Sequence, residues 1–169
     1  MLPREALDFI LTHVEVGSTV VEFGSGHGSE ILAERFRLIS FEHDEDWLGV
    51  TSSHYIHAPI QPNHYSDLEG ENGWYEFKTV VDNWPKEIDC VIIDGPTGVI
   101  GRTGILSIID LLREVPMILV DDVDRPQELK LSQTLAEQLD LEMNICEVEK
   151  PRQSGTDRRY AILSRGDKI

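Results

Sequence analysis

The stretch VVEFGSGHGSE, residues Val20 to Glu30, constrains this chain more than any other segment. An apolar run interrupted by Glu22 leads into Gly24, Gly26 and Gly28, and helix-forming residues follow. Glycine loses more backbone freedom on folding than any other residue, so three at alternate positions mark a place where backbone passes close to something. The pattern predicts a strand over Thr19–Phe23, a tight turn, and a helix over Ser29–Phe36.

The same alternation continues along the chain. Pro3–Val14 reads as a helix with Leu7, Ile10 and Leu11 on one face and Pro3 suited to its first turn. Leu38–Glu42 and His54–Ala58 read as strands, separated by a short helix over Asp44–Val50. A helix over Tyr75–Asn83 precedes a strand over Asp89–Asp94. Ile105–Arg113 reads as helix, Pro116–Asp121 as strand and Gln127–Leu139 as helix. Strands alternating with helices predict an open, mostly parallel sheet covered on both faces. The ending breaks the rule: Leu141–Val148 and Tyr160–Ser164 are joined by KPRQSGTDR, which leaves no room for a crossover helix. These two strands are therefore expected to pair antiparallel.

At 169 residues the chain is expected to form one domain with a substantial core. Its net charge of −16 is unevenly distributed: nine basic residues oppose 29 acidic ones up to Glu149, and six oppose two from Lys150 onward. A surface of that sign repels phosphate backbones, so no nucleic-acid substrate is expected. No apolar run is long enough for a bilayer and the N-terminus lacks a signal-peptide pattern, so no membrane association and a cytoplasmic location are the expectation. Cys90 and Cys146 sit in apolar strand-like segments and read as core residues. The pattern specifies no oligomeric interface.

In open α/β sheets ligands bind beyond the carboxyl ends of the strands, and the GSGHGS turn falls at that place. A dinucleotide site prefers G-x-G-x-x-G/A, whereas here Gly24 and Gly26 are followed by Ser29. The order Glu22-x-Gly24-x-Gly26-x-Gly28 instead resembles the first motif of class I S-adenosylmethionine-dependent methyltransferases. In that family the strand acid helps hold the ammonium of the cofactor's methionine, a carboxylate–cation match that a pyrophosphate would not offer. Glu42 closes the second strand about twenty residues later, where the family's ribose-binding carboxylate stands, and His43 follows at the position lying along the adenine. The resemblance extends to CVIIDGP and MILVDDVDRP, similar to the fourth and fifth strands of small-molecule O-methyltransferases. It implies a Rossmann-like seven-stranded sheet over residues 1–169, with helices on both faces and a C-terminal antiparallel hairpin. It also implies S-adenosylmethionine as cofactor, with Glu22, Gly24, Ser25, Gly26, Gly28, Glu42, His43 and Asp94 holding it.

Asp94, Asp121 and Asp122 end neighbouring strands and would repel one another unless a positive charge intervenes or one is protonated. Their oxygens suit Mg²⁺ or Ca²⁺. In catechol-type O-methyltransferases a divalent cation is held by an aspartate and an Asp-Asn pair at matching places, which implies a metal site of Asp94, Asp121 and Asp122. The lysine base of that family is replaced by Thr97. Alternatively Asp94 contacts cofactor or substrate, Asp122 caps the following helix, and Asp121 pairs with Arg125 or Arg102. Asp94 and Asp121 are the candidate catalytic bases.

Gln61–Phe77, carrying His64, Tyr65, Trp74 and Tyr75, follows the third strand and is expected to cap the acceptor site. The functional expectation is methyl transfer to a hydroxyl of a small-molecule or saccharide-like acceptor. The alternatives are an NAD(P)-dependent oxidoreductase or epimerase, for which no Tyr-x-x-x-Lys pair is found, and a non-catalytic cofactor-binding protein of the same fold.

Overall fold

The computed structural model describes residues 2–63, 73–149 and 157–166. Helix α1 (Arg4–His13) starts directly after Pro3 and buries Ala6, Leu7 and Ile10. Strand β1 (Thr19–Phe23) enters the glycine turn, and helix α2 (His27–Arg35) leaves it. That helix begins two residues before the expected Ser29, because the Ser29 hydroxyl accepts the Gly26 N–H at 3.0 Å and closes the first turn early. Strands β2 (Arg37–Glu42) and β3 (His54–His57) follow. The helix expected over Asp44–Val50 contracts to a 3₁₀ turn, Glu45–Trp47, capped by the Asp44 carboxylate, which accepts the Asp46 N–H at 3.0 Å.

A short antiparallel pair, β4 (Ile60–Pro62) and β5 (Gly73–Tyr75), was not expected. Three-residue strands fall below what alternation can reveal. Helix α3 (Phe77–Asp82) is correspondingly shorter than predicted, since Tyr75 belongs to a strand. Strand β6 (Cys90–Ile93) leads to a 3₁₀ segment over Thr103–Ile108 that continues as the single-turn helix α4 (Ile109–Leu112). Strand β7 (Met117–Val120) is followed by helix α5 (Pro126–Leu139), with Pro126 in its first turn and Asp140 closing it in a left-handed conformation. Strands β8 (Glu142–Glu147) and β9 (Arg159–Ser164) complete the chain.

The main sheet has the order β3-β2-β1-β6-β7-β9-β8. All its pairings are parallel except those of β9, which runs antiparallel to both β7 and β8. Alternation divides the strands between two cores. Val20, Leu38, Cys90, Ile92, Met117, Leu119, Tyr160 and Ile162 pack with α1 and α2. Val21, Phe23, Phe41, Val91, Ile93, Ile118, Val120, Ala161 and Leu163 pack on the other face with Val80, Leu112, Leu131, Leu135 and Leu139 from α3, α4 and α5. Cys90 is buried and Cys146 half-buried, both as free thiols. Among the described residues no helix is long and apolar enough to cross a membrane.

Candidate functional site

The carboxyl ends of β1, β2 and β6 bring the glycine turn, Glu42 and Asp94 together. Between them lies an open groove of about 230 Å³, lined by Gly24, Ser25, Glu42, His43, Asp44, Trp47, Tyr75 and residues 94–97. Two chain segments meet at its centre. Gly24 has φ +87°, and a Cβ there would lie 2.8 Å from the Cα of Gly95. A Cβ on Gly95 would lie 2.7 Å from the Cα of Gly24 and 2.5 Å from the Tyr75 hydroxyl. Glycine is required at both positions by close approach, and at Gly24 also by backbone conformation.

Glu42 is almost fully buried at the end of β2. Its Oε2 accepts the Ser25 N–H at 2.7 Å, and its Oε1 accepts the N–H groups of His43 and Asp44 at 2.7 and 2.9 Å. Three charge-assisted bonds fix this carboxylate toward the glycine turn. The turn is also pinned from its other side, where Ser25 and Tyr55 share a hydroxyl–hydroxyl bond of 2.8 Å. His43 and Trp47 form the groove's outer wall, with the Trp47 ring edge-on to His27 at 5.7 Å.

Glu22 projects to the α1–α2 side of the sheet. It accepts the Ser29 hydroxyl at 3.0 Å and the Ser40 hydroxyl at 2.5 Å. Burial raises its carboxyl from the ordinary 4.5 to about 8; the two serine bonds oppose the shift, and Asp94 and Glu42 add to it. With Gly24, Gly26, Gly28, Ser29 and Asp94 it lines a small recess behind the glycine turn. Asp94 lines both this recess and the groove, and so connects them.

Asp94, Asp121 and Asp122 do converge, each offering an oxygen within 4.8 Å of the others. The residues present nevertheless do not fit a divalent cation, because guanidinium groups already supply the positive charge. Arg102 is 2% exposed, and its Nη2 lies 3.1 Å from Asp122 Oδ2 and 3.5 Å from Asp94 Oδ1. It also donates to the backbone carbonyls of Asp121 and Asp94 at 2.8 Å, and to those of Pro96 and Ile93 at 3.3 and 3.4 Å. Arg158 bonds Asp121 Oδ2, and Arg125 Nη2 stands 3.1 Å from Asp122 Oδ2. Three carboxylates thus meet three guanidiniums, and a dication would have to displace an arginine held by four carbonyls.

The alternatives for this cluster resolve accordingly. Asp122, at φ +63°, caps no helix; Arg125 occupies the N-cap of α5 and Asp122 serves as counter-ion to Arg102 and Arg125. Asp121 pairs with Arg158 rather than with the side chains of Arg125 or Arg102. It is fully buried and absent from the groove wall, so of the two candidate bases only Asp94 faces the groove. Burial, with Asp94 and Asp122 close by, pushes Asp121 up to about 7 in spite of Arg158.

The expected cap over Gln61–Phe77 is placed only in part. His64 and Tyr65 lie outside the described residues. Trp74 and Tyr75 are buried core residues, their rings 5.2 and 5.6 Å from that of Phe23. The Tyr75 hydroxyl has no hydrogen-bond partner among the described residues, a burial that costs about 1–3 kcal/mol. Sequence reading placed Tyr75 in a cap rather than in the groove wall, and missed Trp47, Ser29 and Ser40. Only Ser40 left a signal: a hydroxyl at a buried position of LISFE, beside an acid on the next strand, invites a bond.

No protein-family model and no curated protein sequence matches the chain. Solved structures do. SMU.1697c of Streptococcus mutans, in complex with S-adenosylhomocysteine, superposes with a TM-score of 0.61 at 12% identity, over 97% of this chain and 99% of that one. An rRNA methylase of Streptococcus thermophilus gives 0.60 at 15% identity, over 98% of each chain. An O-methyltransferase of Bacillus cereus, also in complex with S-adenosylhomocysteine, gives 0.59 at 11% identity, over 98% of this chain and 83% of that one. Identities this low speak for architecture alone: a mostly parallel, Rossmann-like sheet entered near its edge by one antiparallel strand, shared with these solved methyltransferases.

Proposed function

We propose that the protein is an S-adenosylmethionine-dependent methyltransferase acting on a hydroxyl of a small-molecule or saccharide-like acceptor. One observation carries this reading: the groove holds a carboxylate fixed by three backbone N–H groups beside a glycine turn, where Gly24 meets Gly95 too closely for a side chain at either position. In it Glu42 accepts the ribose diol, and His43 and Trp47 flank the base. Glu22 lies behind the turn toward the methionine ammonium.

The cofactor supplies a sulfonium methyl already activated for displacement. The chain's part is to hold the acceptor oxygen in line and to accept its proton, and alignment of this kind supplies on the order of 7–11 kcal/mol. Asp94 is placed to take the proton, being part-exposed where recess and groove join. The Arg102 guanidinium stands 3.5 Å from its carboxylate. The net charge of −16 supports a small acceptor over a nucleic acid.

Calorimetric titration tests the reading. S-adenosylhomocysteine is expected to bind and NAD(H) to leave the protein unchanged, and E42A is expected to weaken the former more than tenfold. No uptake of S-adenosylhomocysteine at millimolar excess by folded protein would end it.

A further inference from the structure

The Tyr75 hydroxyl is a buried polar atom of the groove wall that the proposed cofactor contacts leave unexplained. Its ring is fully buried on β5 among Phe23, Trp74 and His43, contacts a phenylalanine would make equally well. The hydroxyl adds a desolvated donor with no partner among the described residues. It lies against Gly95, whose missing side chain leaves it room, and the charged groups acting on it are Glu42, Arg102, Asp94 and Glu22. Burial pushes the phenol well above its ordinary range, so the oxygen keeps its proton and acts as a donor. An unpaired donor inside a groove, next to the carboxylate assigned to a sugar diol, calls for an acceptor on the ligand.

We propose that Tyr75 is a nucleoside-binding residue of this groove, its hydroxyl donating a hydrogen bond to an oxygen of the bound ribose. The assignment rests on the methyltransferase reading. It gives the β4–β5 pair a role: this hairpin delivers a donor to the sugar from the side of the sheet opposite Glu22. It also accounts for glycine at position 95, where any side chain would stand between the phenol and the ligand.

The test is Y75F, measured for thermal stability without ligand and for affinity toward S-adenosylhomocysteine and 5′-methylthioadenosine, which keeps the ribose but lacks the amino acid. Removing a buried unpaired hydroxyl is expected to leave the melting temperature unchanged or raised, while both affinities fall by roughly tenfold. That pairing of opposite effects is one a merely structural tyrosine does not produce. Equal affinity of Y75F and wild type, or a loss confined to S-adenosylhomocysteine, overturns the ribose contact while leaving the methyltransferase reading intact. A clear fall in the melting temperature of the ligand-free variant overturns it too, because the hydroxyl would then have a partner within the fold. Failure of the wild type to bind either nucleoside overturns both readings together.

Discussion

Glu22 and Ser40 face each other across the β1–β2 pairing, and the serine hydroxyl donates to the carboxyl at 2.5 Å inside the sheet's buried face. Two residues that alternation would assign to a dry core thus form a polar pair directly under the glycine turn. Ser29 completes the arrangement from α2. With the acid sealed this way, its protonation becomes part of the protein's stability.

The Glu22 carboxyl titrates at about 8 in the fold, against 4.5 ordinarily, so the folded chain holds the proton more tightly than the unfolded one. The resulting stabilisation is complete below about pH 4.5 and lost as pH rises through about 8. Its size is on the order of 5 kcal/mol. Asp121, raised to about 7, acts in the same direction. E22Q keeps the side chain's shape and is expected to flatten, though not abolish, the decline in stability between pH 5 and 8. Urea midpoints of both proteins across that range check it, and parallel curves would refute it.

Ligand binding should move the same proton. An ammonium brought toward Glu22 favours the carboxylate, so binding S-adenosylhomocysteine at pH 7 is expected to release up to one proton. Titrations in phosphate and Tris buffers, whose ionisation heats differ, should give different apparent enthalpies for wild type and matching ones for E22Q. Equal enthalpies for wild type would separate Glu22 from the ammonium.

The glycines around the two turns are not equivalent, and substitution should rank Gly95 against Gly28. A Cβ at Gly95 lands 2.5 Å from the Tyr75 hydroxyl and 2.7 Å from Gly24 Cα, so G95A is expected to lose about 1–3 kcal/mol together with nucleoside binding. A Cβ at Gly28 meets only Leu7 and Leu2, at 3.8 and 3.9 Å. Gly28 lies within α2, so G28A is expected to be neutral or to gain up to about 1 kcal/mol. Thermal melts decide the order, and equal losses would mean that the close approach of the two turns does not constrain the fold.

The sheet was legible because each central strand is an apolar run closed by a turn, and the antiparallel ending because the nine residues 150–158 leave no room for a crossover helix. Glu42 was legible for the same reason: strand ends place their last side chain at the ligand edge. Tyr75 was not, since its groove position depends on a three-residue strand pairing across a long connection, with Ile60 opposite it. Nor was the partner of Asp121. Arg158 lies 37 residues further along, and only the return of β9 beside β7 brings the two together. Local periodicity reports which face a residue takes; it carries no information on which distant cation meets which acid.

The strand-end carboxylates supply the last prediction. Arg102 reaches Asp94 and Asp122 with one guanidinium and spends its remaining donors on four backbone carbonyls. R102M keeps most of the volume but leaves the buried Asp122 and the part-buried Asp94 without this partner, a loss of roughly 3–5 kcal/mol. The vacated space, bordered by oxygens of three aspartates within 4.8 Å of one another, then has the donor set of a hard cation. Millimolar Ca²⁺ or Mn²⁺ is therefore expected to raise the melting temperature of R102M by linkage, beyond what NaCl of equal ionic strength does, and to leave wild type at its salt control. The built-in guanidinium and an external cation compete for the same three acids, so occupancy by one should exclude the other. A specific cation-induced rise in wild type would show that Arg102 yields to metal, and the charge assignment of the cluster would have to be reversed.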